Sequence, residues 1–246
     1  MRPDEALERL RRLGFGEADA QTLFAHFDDA ERRGKLGHGY SRIEWLETLP
    51  DLRPDARPER LSTQEGYERW DGRGTLGYLT LAAVCDAQLA EPPAHARVVV
   101  ASHCFPTGVL GYWVRRLAEG GLVTALTATS PRRLAHPDGG PRLAGTNPLA
   151  IGVPSSDGRV VVTDVSMGKV TYGDVIAGTA SEDDLVPFGG EQAHKAFALA
   201  VGLQLFVDVL TPSDGFGAVL LVARPEADPV PALRELAGGV RLPGDR

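Results

Sequence analysis

Two short polar segments of this 246-residue chain carry the residue types needed to handle a small acid. The first is Gly37-His38-Gly39-Tyr40-Ser41-Arg42, just ahead of a helical run at 43–47. An imidazole moves a proton near neutral pH, and a guanidinium grips a carboxylate through two parallel hydrogen bonds. Arg42, four positions after His38, falls on the same side once the helix begins. The pair suits a 2-oxo or 2-hydroxy acid, although the same residues also make an ordinary turn with a surface histidine and a solvated arginine. The second segment is Gly145-Thr146-Asn147-Pro148, which opens an apolar run at 149–153. A turn follows, Pro154-Ser155-Ser156-Asp157-Gly158, then a second run at 159–163 that ends on Asp164. Two strands flanked by short polar residues collect backbone amides and hydroxyls at strand ends, where α/β proteins bind small molecules. A plain β-hairpin accounts for the same spacing.

Further positions could join such a site. Ser102-His103 ends the strand-like run 97–101 ahead of a helix at 112–119. That position is open to a pocket, and equally to a hydrogen bond inside its own loop. Lys195 stands in the first turn of a long helix at 192–210. A cation there opposes the helix dipole, so an anion such as a phosphate could settle beside it, or the side chain could be solvated. Gly72-x-Gly74-x-x-Gly77 matches the dinucleotide-binding pattern, but that pattern needs a buried strand before it. The preceding Gln64-Glu65-Gly66-Tyr67-Glu68-Arg69 does not read as one. These glycines are therefore expected to make the turn that starts a helix at 78–90. His26 lies beside the apolar face of a helix and is expected to be structural, and His136 reads as a loop residue.

The elements that must position these groups follow from periodicity. Helices are expected at 4–13, 17–33 and 231–237, and strands at 122–128 and 217–222, besides those above. With 43% hydrophobic residues the chain can bury the core of one large or two small domains. The expected division is a helical region 1–66 carrying His38 and an α/β core 67–246. A formal net charge of -7 without a basic stripe argues against nucleic acid as a partner. Cys85 and Cys104 sit in apolar surroundings without metal-ligand spacing, which predicts buried free thiols and no metal site. No signal segment and no membrane-spanning run is read, so a soluble cytoplasmic protein is expected.

Taken in order, these segments resemble the malate/L-lactate dehydrogenase family, the type-2, non-Rossmann group. That group also includes ureidoglycolate and sulfolactate dehydrogenases and Δ1-piperideine-2-carboxylate reductases. The resemblance is carried by Gly37-His38-Gly39-x-x-Arg42, Asp71-Gly72-x-Gly74-x-Leu76-Gly77, Ser102-His103 and Gly139-Gly140. It continues through Gly145-Thr146-Asn147-Pro148, Pro154, Asp164, Gly189-Gly190 with Lys195, and Leu242-Pro243-Gly244, nearly the whole chain. It implies a mixed α/β fold with flanking helices, not a Rossmann fold of the usual kind. It also implies a homodimer and hydride transfer between NADH or NADPH and a C=O or C=N beside a carboxylate. By the same resemblance His38 is the proton donor and acceptor and Asp164 its polarising partner. Arg42 and Thr146 hold the substrate, and His103, Pro154, Ser155, Ser156 and Lys195 line the cofactor. A carboxylate near His38 would keep its imidazolium available by raising its pKa.

Three departures from the family pattern bear on function. Gly37 stands where the family has a serine, so a relay hydroxyl is missing, with Tyr40 or Ser41 as stand-ins. The loop after His103 reads Cys104-Phe105-Pro106-Thr107. The segments between Asp164 and Gly189 and after Leu210 are shorter than in typical members. A compact, altered member implies a specialised substrate in a biosynthetic pathway. The alternative is a member that has lost redox chemistry and keeps the scaffold for binding or a cofactor-independent reaction.

Overall fold

The structure is a computed structural model and describes residues 1–211 and 215–245. Its centre is one mixed sheet in the order β1-β2-β3-β7-β4-β5-β6. The strands are β1 (Glu59–Gln64), β2 (Tyr67–Asp71), β3 (Ala96–Ser102), β4 (Val123–Ala128), β5 (Leu149–Val153), β6 (Val161–Val165) and β7 (Ala218–Ala223). Only β2 and β3 run parallel among the described pairs. The expected mixed α/β architecture is the one found.

Eight α-helices flank the sheet among the described residues: α1 (Pro3–Arg12), α2 (Glu17–Arg32), α3 (Ser41–Leu46), α4 (Gly77–Ala90), α5 (Leu110–Glu119), α6 (Tyr172–Ile176), α7 (Ala193–Leu210) and α8 (Val230–Ala237). Side chains alternate across a strand, and here they feed two cores. Val99, Ala101, Leu220 and Val222 join α4 and α5 on one face, centred on Tyr78, Trp113 and Leu117. Val100 and Val219 meet Val207 of α7 on the other.

Two strands escaped the sequence reading. β1 is a largely exposed edge strand of mostly polar residues, Glu59-Arg60-Leu61-Ser62-Thr63-Gln64, and lies inside the stretch expected to be helical. β2 carries a fully buried Glu68, which no hydrophobic pattern would suggest. Its carboxylate accepts from Arg60 Nη2 at 2.8 Å, from Gln88 Nε2 at 3.1 Å and from the Trp70 indole N–H. A strand therefore does precede Gly72, Gly74 and Gly77, contrary to expectation, and β2-α4-β3 is a parallel crossover. The glycines nevertheless face the chain's own backbone. A Cβ on Gly77 would come within 2.7 Å of Phe105 N, and one on Gly72 would collide with His103 O. The loop after β3 occupies the space in which a pyrophosphate lies in a Rossmann turn.

β6 begins two residues later than the expected run, because Arg159 is drawn to Asp157 through its backbone N–H at 2.9 Å and its Nε at 3.2 Å. Asp164 is consequently inside the strand, paired with Ala150. Cys85 and Cys104 are fully buried free thiols, and burial pushes both up to about 12. Contrary to the expectation of no spanning run, Gly190–Leu210 is long and apolar enough to cross a membrane, with mean hydropathy 1.4. One side of it packs on the sheet, while Leu199, Leu205, Phe206 and Val209 stay exposed.

Candidate active site

A cavity of about 630 Å³ opens where β4 ends, β5 begins and β6 ends, and the turn 35–38, α3 and α6 close its other side. His38, Arg42, Thr146 and Asp164 all line it, although 126 residue numbers separate His38 from Asp164.

Arg42 begins the wall. It is 7% exposed, in the first turn of α3. Its Nε donates to Gly37 O at 2.8 Å, and its guanidinium lies 5.3 Å from the Trp45 ring centroid. Such packing leaves the other donors of the fork for a carboxylate. Thr146 is pinned through its carbonyl, which accepts from Met167 N at 2.8 Å and Ser166 Oγ at 3.3 Å. Asn147, next to it, is fully buried and structural. Its Nδ2 donates to Ala200 O and Gln204 Oε1, both at 3.0 Å, which ties the turn to α7.

His38 ends a short 3-10 turn, Leu36–His38. Burial in the cavity wall and then the Arg42 charge push its pKa down to about 3, and Asp174 pulls weakly the other way. Its Nδ1 is buried without a hydrogen-bond partner among the described residues. The ring is therefore neutral, not the carboxylate-supported imidazolium expected. Asp164 is engaged elsewhere: its Oδ2 accepts from Gly111 N at 3.0 Å and from Lys35 Nζ at 3.1 Å.

Gly37 has a packing reason to lack a side chain. A Cβ there would lie 2.5 Å from Asp174 N and 2.6 Å from Gly173 C, so α6 docks directly on its backbone. The suggested hydroxyl stand-ins are committed elsewhere: Tyr40 donates to Asp28 Oδ1 at 2.6 Å, and Ser41 to Leu36 O at 2.7 Å. Restoring the family hydroxyl with Gly37→Ser should therefore not raise turnover. It should instead overpack the turn by about 1–3 kcal/mol, a drop of roughly 2–12 °C in melting temperature for a domain this size. Calorimetry on the variant checks this, and a melting temperature equal to wild type would mean that α6 does not sit where described.

The five residues expected to line the cofactor do not surround this cavity. His103 turns to Asp71, with Nδ1 2.9 Å from Oδ1. Pro154, Ser155 and Ser156 follow the far end of β5, a strand length of roughly 16 Å from Thr146. There Ser156 donates to Asp228 Oδ2 through its N at 2.7 Å and its Oγ at 2.6 Å. Lys195 is exposed in the first turn of α7. Between the cavity and His103 runs Phe105-Pro106-Thr107-Gly108, which does line it.

Several cavity groups were not read from the sequence. Lys35 is one. Arg133 is another: its guanidinium stacks 3.4 Å from the Tyr172 ring centroid, with no acidic partner among the described residues. Asp174 comes with α6, whose capping box Thr171-Tyr172-Gly173-Asp174 was a legible signal. His26 is structural as expected, fully buried, with Nε2 accepting from Val109 N at 3.1 Å.

The family model described as malate/L-lactate dehydrogenase matches residues 4–185. The (2R)-3-sulfolactate dehydrogenase (NADP(+)) of Chromohalobacter salexigens is 30% identical over 232 residues, 84% of this chain and 68% of that protein. The 2,3-diketo-L-gulonate reductase of Citrobacter koseri is 29% identical over 178 residues, 69% of this chain and 52% of that protein. The chain thus matches only about half the length of such reductases. Among solved structures, a delta1-piperideine-2-carboxylate reductase from Pseudomonas syringae pvar. tomato superposes with a TM-score of 0.82 at 22% identity, covering 99% of this chain and 90% of that one. A sulfolactate dehydrogenase from Methanocaldococcus jannaschii gives 0.76 at 16% identity, covering 96% and 80%.

Proposed function

The chain belongs to the malate/L-lactate dehydrogenase family, and from that premise we propose that it is an NAD(P)-dependent oxidoreductase acting beside a carboxylate. The substrate is a 2-oxo or 2-hydroxy acid, or a cyclic imino acid. The carrying observation is the convergence of His38, Arg42, Thr146 and Asp164 on one cavity. Arg42 takes the substrate carboxylate through the free edge of its fork. Thr146 and the neutral ring of His38 hydrogen-bond the reacting oxygen or nitrogen and hold the acceptor carbon toward the opposite wall.

That wall suits a flat ring. Phe105 to Gly108 and Ala128 to Pro131 line it with uncharged groups, and the volume lies within the usual range for a ligand and its cofactor end. Reduced nicotinamide held there would supply hydride. NADPH is favoured over NADH by the similarity to the NADP(+)-dependent (2R)-3-sulfolactate dehydrogenase. Arg133 faces the same space as a second guanidinium, which favours substrates with a second anionic group. The exposed apolar side of α7 supports a homodimer, and net charge -7 supports a cytoplasmic protein without nucleic-acid partners. A specialised biosynthetic role is supported by the Gly37 departure and its docked α6.

The test is oxidation of NADPH and NADH at 340 nm with a panel of 2-oxo and cyclic imino acids, mono- and dianionic. Turnover is expected, preferring dianions. No turnover with any acid, together with no cofactor binding by calorimetry, removes the reading. The alternative, a scaffold without redox chemistry, gains support from the distance of Pro154 to Ser156 and Lys195 from the cavity. Saturable NADPH binding that disappears in Lys195→Ala would count against that alternative.

A further inference from the structure

We propose that the Tyr78 hydroxyl donates a hydrogen bond to the substrate carboxylate beside Arg42, and so sets how tightly the acid is held. This rests on the oxidoreductase reading above for the nature of the acid, and adds a third side chain to those that grip it.

Tyr78 stands in the first turn of α4, directly after the glycine pattern 72–77. It is 1% exposed and lines the cavity with His38 and Arg42. Three neighbours fix its ring. Phe27 and His26 meet it edge-on, with ring centroids 5.1 and 5.0 Å away. The loop at Gly108 closes on it from a third side. A Cβ on Gly108 would lie 2.4 Å from Tyr78 Cε1 and 2.2 Å from His26 Nε2. A phenylalanine ring fills the same space, so packing does not account for the oxygen.

That oxygen is buried and has no hydrogen-bond partner among the described residues. Leaving a buried donor unpaired costs stability, and folded proteins rarely leave one without a use. Neighbouring groups follow that rule. The Trp113 indole N–H donates to Thr107 O at 2.9 Å, His26 Nε2 accepts from Val109 N at 3.1 Å, and the buried Tyr40 hydroxyl donates to Asp28 Oδ1 at 2.6 Å. His26 Nδ1 is unpaired too, but its ring does not line the cavity. Among the described residues that do, only Tyr78 Oη and His38 Nδ1 are buried and unpaired.

The surroundings of the phenol select its acceptor. Burial pushes its pKa up, with the Arg42 charge pulling partly back, so it stays protonated and acts as a donor. A carboxylate docked on the Arg42 fork brings an anionic oxygen to the same part of the wall, and a hydrogen bond to an ionised acceptor is stronger than one to a neutral group. Asp174, the acid near the His38 ring, is not the missing acceptor, since its Oδ2 accepts from Thr171 N and Oγ, both at 2.8 Å. No bond is made or broken at Tyr78, and proton transfer stays with His38.

The experiment compares the full chain with its Tyr78→Phe variant. Without ligand the variant should melt at or above the wild-type temperature, because the ring packing is kept and an unpaired hydroxyl is gone. A lower melting temperature would show that the hydroxyl already has a partner, and overturns the proposal. Substrate KM for the best acid of the panel should rise about 10- to 100-fold, with kcat within a few-fold. An unchanged KM overturns the proposal. So does a loss confined to kcat, which would place the hydroxyl at the reacting oxygen instead. Oxamate, a small carboxylate probe, gives a readout free of turnover. Calorimetry with and without NADPH should show its Kd rising by the same factor in Tyr78→Phe, with the Kd of NADPH unchanged. Equal oxamate affinity in the two proteins, or no uptake by either, overturns the proposal. If neither protein turns over any acid while the oxamate difference persists, the oxidoreductase reading falls and the Tyr78 contact stands.

Discussion

Arg42→Met should lower kcat/KM for the best acid substrate by about two to three orders of magnitude, with most of the loss in KM. Removing one partner of a buried, hydrogen-bonded charge pair costs about 2–5 kcal/mol, and every 1.4 kcal/mol is about tenfold. The side chain is 7% exposed, so the carboxylate it meets is desolvated on binding. Arg42→Lys should recover little. A lysine keeps the charge but loses the fork, and it cannot both reach Gly37 O, as Nε does at 2.8 Å, and present two parallel donors. The turn that carries His38 also loses a brace, so a modest fall in kcat should accompany the rise in KM. Steady-state kinetics on both variants, with NADPH binding as a folding control, decide the matter. Wild-type KM in Arg42→Met would mean that the carboxylate binds elsewhere.

Glu68→Ala should cost about 3–5 kcal/mol of stability, the usual price of leaving a buried ionic network without its centre. In a domain of this size that is a fall of roughly 6–20 °C in melting temperature. The carboxylate is fully buried and joins β1, β2 and α4 through Arg60, Trp70 and Gln88, and it lies 3.6 Å from Arg97 Nη1 of β3. Its loss leaves Arg60 with only the exposed Glu91 as acidic partner and Arg97 with the neutral acceptors Gln88 Oε1 and Glu91 O. By contrast Arg11→Ala breaks an open pair with Glu17, whose side chains are 41% and 62% exposed, and should leave the melting temperature nearly unchanged. Thermal melts of the two variants side by side test whether burial, and not pairing as such, sets the cost.

The long helices and the central strands were legible because apolar periodicity is a local property, and they fall within a few residues of the expected bounds. β2 was not legible, since its defining feature is a buried acid whose partners come from β1 and α4. The four-residue core of the site could be named from His38, Arg42, Thr146 and Asp164, yet their pairing could not. Whether Asp164 meets His38 or Lys35 depends on where the turn after α2 lands relative to β6, 129 positions away. The neutral state of His38 is likewise set by walls contributed from distant segments. Spacing in the glycine pattern 72–77 was misleading for the opposite reason: the same backbone geometry serves either a phosphate or, as here, the loop 103–106.

Cys85 and Cys104, sealed in the main core with raised thiol pKa values, make the native protein blind to reagents that attack thiolate. Only molecules that have opened through their centre can be labelled, so the labelling rate counts those excursions. The chain thereby carries its own chemical clock for unfolding, readable without any substrate.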